Sequence, residues 1–174
     1  INKIIESGLT ALARRPYNPN KGLISFRNGV LNLDTMEMTS PADESFETPT
    51  YIDFDYDPNA QCPRFRTFLS EVLPDAATQW VLQEFCGALF VDRKTYKIEK
   101  VLYLLGEGQN GKGVFLECVQ HVVGRENVSS YSMYDVCTSP RRDNNIAGVN
   151  GKIVNICTDM SKADISGGEF KKFV

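Results

Sequence analysis

An α/β domain preceded by a small α+β or mostly helical module is the fold class this sequence predicts. Three observations carry it. An apolar run, Val101-Leu-Tyr-Leu-Leu105, opens straight into a glycine-rich loop and then a helical stretch. An Asn-Gly pair at Asn28-Gly29 sits between two short apolar segments, and Pro63 and Pro74 bracket a segment of helical periodicity. The length of 174 residues admits one full domain or two small ones, with enough chain to bury a core.

Composition narrows the class further. Hydrophobic residues make up 42% and charged residues 24%, as in ordinary globular proteins, and no apolar run is long enough to span a bilayer. The chain starts at Ile1 rather than Met and no basic-then-apolar leader follows, which predicts a piece of a longer protein without a signal peptide. Cys62, Cys86, Cys118, Cys137 and Cys157 are odd in number, widely spaced and free of any C-x-x-C pattern. They read as small core residues in a reducing compartment, so the expected location is cytoplasmic.

The formal net charge of -3 argues on its face against nucleic acid as a partner. Its distribution changes that. Eight of the 22 acidic residues (Asp34, Glu37, Asp43, Glu44, Glu47, Asp53, Asp55, Asp57) lie between Asn28 and Pro63, where there is no Lys or Arg. The remainder holds 19 basic against 14 acidic residues and has room for a mildly basic face.

From Leu23 to Leu33 the pattern predicts two strands joined by a tight turn at Asn28-Gly29. Ile52, Phe54 and Tyr56 alternate with Asp53, Asp55 and Asp57, the period of a strand with one wet face, and Pro58 stops it. The three aspartates begin like a calcium loop, but Pro58 stands where Gly is needed and Arg64 where a bidentate Glu is needed. A solvated strand face is the better account. Pro63 suits a first helical turn, with Phe65, Phe68, Leu69 and Val72 at helical spacing up to Pro74. A second helix is expected to start at a capping Asp75 and to bury Trp80, Val81, Phe85 and Leu89; a base-stacking role for these aromatics is the lesser reading. The charged stretch Asp92-Arg-Lys-Thr-Tyr-Lys97 joins this part to the next.

The chemistry concentrates after Leu105. Gly106-Glu-Gly-Gln-Asn-Gly-Lys-Gly113 matches G-x-x-x-x-G-K-[ST] except at its last place, and Val114 continues into a helix. In such a P-loop, amides of Gly106, Glu107, Gly108, Gln109, Asn110, Gly111, Lys112, Gly113 and Val114 converge on phosphates. The helix N-terminus adds positive charge, and Lys112 reaches the terminal phosphates. Gly106, Gly108 and Gly111 also satisfy the dinucleotide pattern G-x-G-x-x-G. That alternative predicts an acid ending the next strand, whereas the segment from Val128 ends in Ser-Met-Tyr, and it leaves Lys112 unexplained. A glycine loop with no ligand is the third account.

Lys152-Ile-Val-Asn-Ile-Cys-Thr-Asp159 reads as an apolar strand ending in an acid, 47 positions beyond Lys112. In P-loop enzymes such an acid holds magnesium and orients the attacking water. His121, the only histidine, has no Ser or Cys partner in prospect and reads as a surface or packing residue. Arg141, Arg142, Lys171 and Lys172 are candidates for phosphate-backbone contacts, or solvated charges.

Taken in order, F-R-N-G-V-L-N-L-D, Y-I-D-F-D-Y-D-P-N-A-Q-C-P-R-F-R-T-F-L, W-V-L-Q-E-F-C-G, G-E-G-Q-N-G-K-G and G-K-I-V-N-I-C-T-D resemble the primase-helicases of phages, plasmids and large DNA viruses. In that family a poxvirus-type N-terminal module precedes a superfamily 3 helicase domain. The resemblance covers about residues 20 to 174 and implies a segment 1–19 that is helical or flexible, an accessory module over 20–97 and a truncated AAA+-like P-loop domain over 98–174. It further implies ATP and magnesium as cofactors, single-stranded DNA as partner, a homo-hexameric parent and an associated primase domain or subunit, with no membrane involved. Gly106, Gly111 and Lys112 match Walker A, Asp159 the acid of Walker B, and Ile165 to Val174 the lead into a DNA-contacting region. Two departures stand out. Gly113 replaces the magnesium-ligating Ser or Thr, and the chain stops at Val174 before the sensor strand and arginine finger of the family pattern. The expected function is therefore an ATP-dependent DNA helicase in the parent, inactive as this piece alone. A non-hydrolysing nucleotide- or DNA-binding module is the alternative. A nucleotide kinase would need a lid with several arginines, where this sequence has Arg125, Arg141 and Arg142 only.

Overall fold

A computed structural model describes residues 22–40, 51–91, 96–158 and 167–173. It is mixed α/β, with two small sheets and six α-helices among the described residues. The segment 1–19, the acids Asp43, Glu44 and Glu47, most of the joining stretch after Val91, and Asp159 lie outside them.

The first sheet has strands β1 (Leu23–Phe26), β2 (Gly29–Asn32), β3 (Glu37–Thr39) and β4 (Tyr51–Ile52) in the order β3-β2-β1-β4. β1 and β4 run parallel, while the β1–β2 and β2–β3 pairs are antiparallel. The expected hairpin forms one residue out of place. Phe26 pairs with Gly29, so the turn is Arg27-Asn28 and Gly29 opens the second strand. A Cβ on Gly29 would collide with the Thr39 carbonyl oxygen and stand 2.9 Å from Met38 Cε, so β3, which the sequence did not announce, is what requires glycine there. Asn28 is used differently. Its Nδ2 donates to the Tyr56 carbonyl at 3.0 Å while its Oδ1 accepts from the Tyr56 amide at 2.9 Å. Together with the Arg27 amide donating to the Phe54 carbonyl, this clamp ends the expected Tyr51–Tyr56 strand after Ile52. Ile24, Phe26, Leu31 and Ile52 form the core, with Leu33, Tyr56 and Phe90 packed against it. Asp53 and Asp55 face Arg27, and all three groups are exposed.

Helices α1 (Pro63–Val72) and α2 (Ala76–Ala88) follow as expected. Pro63 occupies the first turn of α1, and the Asp75 carboxylate caps α2 by accepting from the Thr78 amide at 2.8 Å. The expected burial on α2 does not hold. Leu82 is its one buried residue, Trp80 is 62% and Val81 56% exposed, and Phe85 and Leu89 are half-buried. Periodicity identifies an apolar helix face without saying whether this chain covers it.

Val101 to Leu105 is not a strand. Leu102 and Leu104 are half-buried and Val101, Tyr103 and Leu105 exposed, so the backbone alternates like a strand but has no ladder partner among the described residues. A continuous apolar run becomes a buried strand only when neighbours pair with it. Helix α3 (Lys112–Val123) does form, and a short 3₁₀ turn (Arg125–Asn127) leads into β5 (Val128–Ser129), which pairs in parallel with β6 (Val154–Asn155). The described chain also holds helices α4 (Met133–Cys137), α5 (Arg142–Val149) and α6 (Gly167–Phe173), with α4 against both α5 and α6. Ser132 and Asp135 cap α4 reciprocally. Phe115, Val123, Val136, Cys137, Ile153 and Ile156 are the buried apolar residues here.

Candidate functional site

The residues of the glycine loop converge on one side chain. Lys112, the first residue of α3, folds its ammonium back over the loop and donates to the Gly106 carbonyl at 2.8 Å, the Glu107 carbonyl at 2.9 Å and Asn110 Oδ1 at 2.7 Å. An ammonium has three protons, and these three acceptors match them. A Cβ at Gly106 would collide with Asn110 Nδ2 and come within 3.3 Å of Lys112 Nζ, so glycine there lets both side chains close over the loop without shifting. Gly111, at φ +82°, makes the left-handed step that starts the helix. Gln109 is also left-handed, at φ +60°. Glu107, Gly108, Gln109, Asn110, Gly113 and Val114 are exposed around this point, and a Cβ on Gly108 or Gly113 would meet nothing within 4 Å.

This is a cradle suited to phosphate. A compact positive charge lies over the loop, small residues keep one side open, and the amides at the start of α3 have no carbonyl one turn earlier to bond. For magnesium the described donors are sparse. Gly113 has no side-chain oxygen, and no cluster of three or more His, Cys, Asp or Glu residues occurs among the described residues. Thr158, next to Asp159 in sequence, lines a cavity of about 190 Å³ with Gln120 of α3, Ser130, Ser132, Asp135, Ile156 and Cys157. The end of β6 and the helix that begins at the loop thus share one recess of mixed polar and apolar lining at the carboxyl ends of two parallel strands, where α/β sheets place ligands.

Other candidates resolve simply. His121 is exposed, with Nδ1 2.8 Å from the Glu117 carbonyl. Arg142 pairs with Glu169 at 3.5 Å and Asp143 at 3.6 Å, joining α5 to α6, and Arg141 and Lys171 are exposed. Of the cysteines expected in the core only Cys137 is buried, Cys62 is exposed and Cys86, Cys118 and Cys157 are half-buried; burial pushes the thiols of Cys86 and Cys137 up, away from a reactive thiolate.

Three residues that sequence reasoning did not connect with the loop touch its framework. A Cβ built on Gly111 would stand 2.9 Å from Val72 Cγ1 and 3.0 Å from Phe68 Cε2, so α1 lies directly against the loop. At the far end of α3, buried Asn127 donates to the Val123 carbonyl at 2.7 Å and to the Tyr51 carbonyl of β4 at 2.9 Å. A buried Asn just after a helix and a pair of apolar residues at i and i+4 were the available signals. Neither names its partner.

Helix α1 and sheet β1–β4 thus each reach the loop's framework, α1 at the start of α3 and β4 just beyond its end. Residues 9–74 match the D5 N terminal like family. The match takes in this sheet and α1, supports a protein of primase-helicase type, and stops short of the glycine loop. No curated protein matches the chain. No helix among the described residues is long and apolar enough to cross a membrane.

Proposed function

We propose that this chain is part of an ATP-dependent DNA helicase of a replicative primase-helicase, in which the loop from Gly106 to Gly113 binds the phosphates of ATP. The observation that carries the reading is the convergence of Gly106, Glu107 and Asn110 on the Lys112 ammonium at the start of α3. The D5 N terminal like region at residues 9–74 supports the replicative context.

On this reading the lysine exchanges its loop acceptors for phosphate oxygens. Contacts from the ammonium to neutral carbonyl and amide oxygens are replaced by contacts to an anionic phosphate, which favours the exchange. The amides opening α3 donate to the same group, and the open faces at Gly108 and Gly113 leave the approach clear. ATP supplies the bond whose hydrolysis drives translocation along single-stranded DNA. Asp159 is the residue that would hold magnesium, and Gly113 would offer it no hydroxyl. A P-loop NTPase fold of AAA+ type, a homo-hexameric parent, an associated primase domain and a cytoplasmic location belong to the same proposal.

Gly113 favours a second reading, a nucleotide- or DNA-binding module that does not hydrolyse. Calorimetric titration of the chain with ATP, in wild type and Lys112→Ala, tests the first step of both. Saturable binding that Lys112→Ala abolishes is expected, and equal affinity of the two proteins would refute the phosphate loop. ATPase activity of the parent protein, with and without single-stranded DNA, then separates helicase from binding module.

A further inference from the structure

We propose that Phe68 and Val72 of α1 are positioning residues for the phosphate loop, so that the D5 N terminal like region sets the loop's affinity for nucleotide. The inference rests on the proposed function and adds to it a control exerted by residues before the loop.

Two independent contacts hold α3 from its opposite ends. At its start, the apolar edge formed by Phe68 and Val72, one turn apart on α1, leaves no room for a side chain at Gly111. At its finish, Asn127 bridges the Val123 carbonyl and the Tyr51 carbonyl. A helix of 12 residues is about 18 Å long, so one end of the rod is met by α1 and the other by β4, both from residues that precede the loop. The amides expected to meet phosphate sit on the first turn of that rod, immediately after Gly111.

The contact with α1 is suited to tuning affinity more than to holding the fold. Val72 is 38% exposed, Phe68 is half-buried, and α1 has no fully buried residue, so the global core does not depend on them. What they touch is Gly111, the left-handed residue immediately before Lys112. Without that backing the Gly111 step gains freedom, and the loop must be ordered on each binding event.

The test uses the 174-residue chain with ATP as ligand and amide hydrogen exchange as a second readout. Phe68→Ala is expected to weaken ATP binding about tenfold, the loss of roughly one well-aligned charge-assisted contact. In the nucleotide-free protein it should speed exchange at Phe115, whose amide bonds the Gly111 carbonyl at 3.0 Å, and leave Ile24 and Leu31 unchanged. Phe68→Leu keeps an apolar group against Gly111 and is expected to recover most of the affinity. Should Phe68→Ala fail to fold, Val72→Ala is judged by the same two readouts. Unchanged ATP affinity in the alanine variant overturns the proposal, whether or not exchange changes. Equal loss in the alanine and leucine variants also overturns it. If wild type itself binds no ATP, the nucleotide reading fails first, a result distinct from wild-type binding that is indifferent to Phe68.

Discussion

Asn127 donates one side-chain proton to the carbonyl of Tyr51, 76 positions earlier, and the other to the Val123 carbonyl at the end of α3. The residue is 8% exposed; its bond to Val123 is buried and its bond to Tyr51 partly so. One amide therefore ties the end of the loop's helix to the edge strand of the N-terminal sheet.

Asn127→Ala removes both donors and leaves two carbonyls short of a partner. The expected cost is about 1–3 kcal/mol of unfolding free energy. Urea denaturation should show a lower midpoint with unchanged slope, and a midpoint equal to wild type would show that the two bonds contribute nothing net.

Lys112→Ala should separate binding from stability. Its hydrogen bonds are exposed, so the unfolding free energy should move by about 1 kcal/mol or less while ATP affinity is lost. Thermal melts beside the calorimetric titration give both numbers.

Gly113→Ser places a hydroxyl where the loop is open, since a Cβ there meets nothing within 4 Å. In the full-length parent it should lower the magnesium concentration for half-maximal ATPase activity and leave single-stranded DNA binding unaltered. An unchanged magnesium dependence would mean that this position does not face the cation.

Acid should weaken two helix caps. Hydrogen bonds from the hydroxyl and amide of Thr78 hold the Asp75 carboxyl below its ordinary value of 3.8, and those of Ser132 do the same for Asp135. A group whose folded pKa is depressed contributes its full stability above the unfolded value and loses it as pH falls through 3.8 towards the folded value. Asp135→Ala should therefore lower the melting temperature more at about pH 7 than at about pH 2. Equal losses at the two pH values would show that the capping bonds do not depend on the charge.

Local chemistry made part of this molecule legible. Pro63 and Asp75 mark the starts of α1 and α2 because a missing amide and a capping carboxylate act within one turn. The loop and α3 were readable because glycine spacing and Lys112 specify a backbone path locally. What escaped depends on neighbours far along the chain. The hairpin register is set by Thr39 behind Gly29 and by Asn28 holding Tyr56, contacts that no dipeptide rule contains. Trp80 and the stretch from Val101 to Leu105 show the same limit, since an apolar pattern does not name its cover. Phe68 and Val72 fitted a helical period, but their contact with Gly111 is a tertiary fact.

The extended stretch before the loop has a practical corollary for anyone handling the protein in solution. Leu105 is 83% exposed, Tyr103 61% and Val101 52%, on a backbone whose amides and carbonyls have no ladder partner among the described residues. Such a strip is a ready template for strand-to-strand stacking between molecules, and proteins ordinarily blunt it with charge. Colloidal behaviour at high concentration should thus be governed by these three side chains more than by the net charge of -3. Leu105→Lys is expected to reduce concentration-dependent light scattering, and its failure to do so would locate the sticky surface elsewhere.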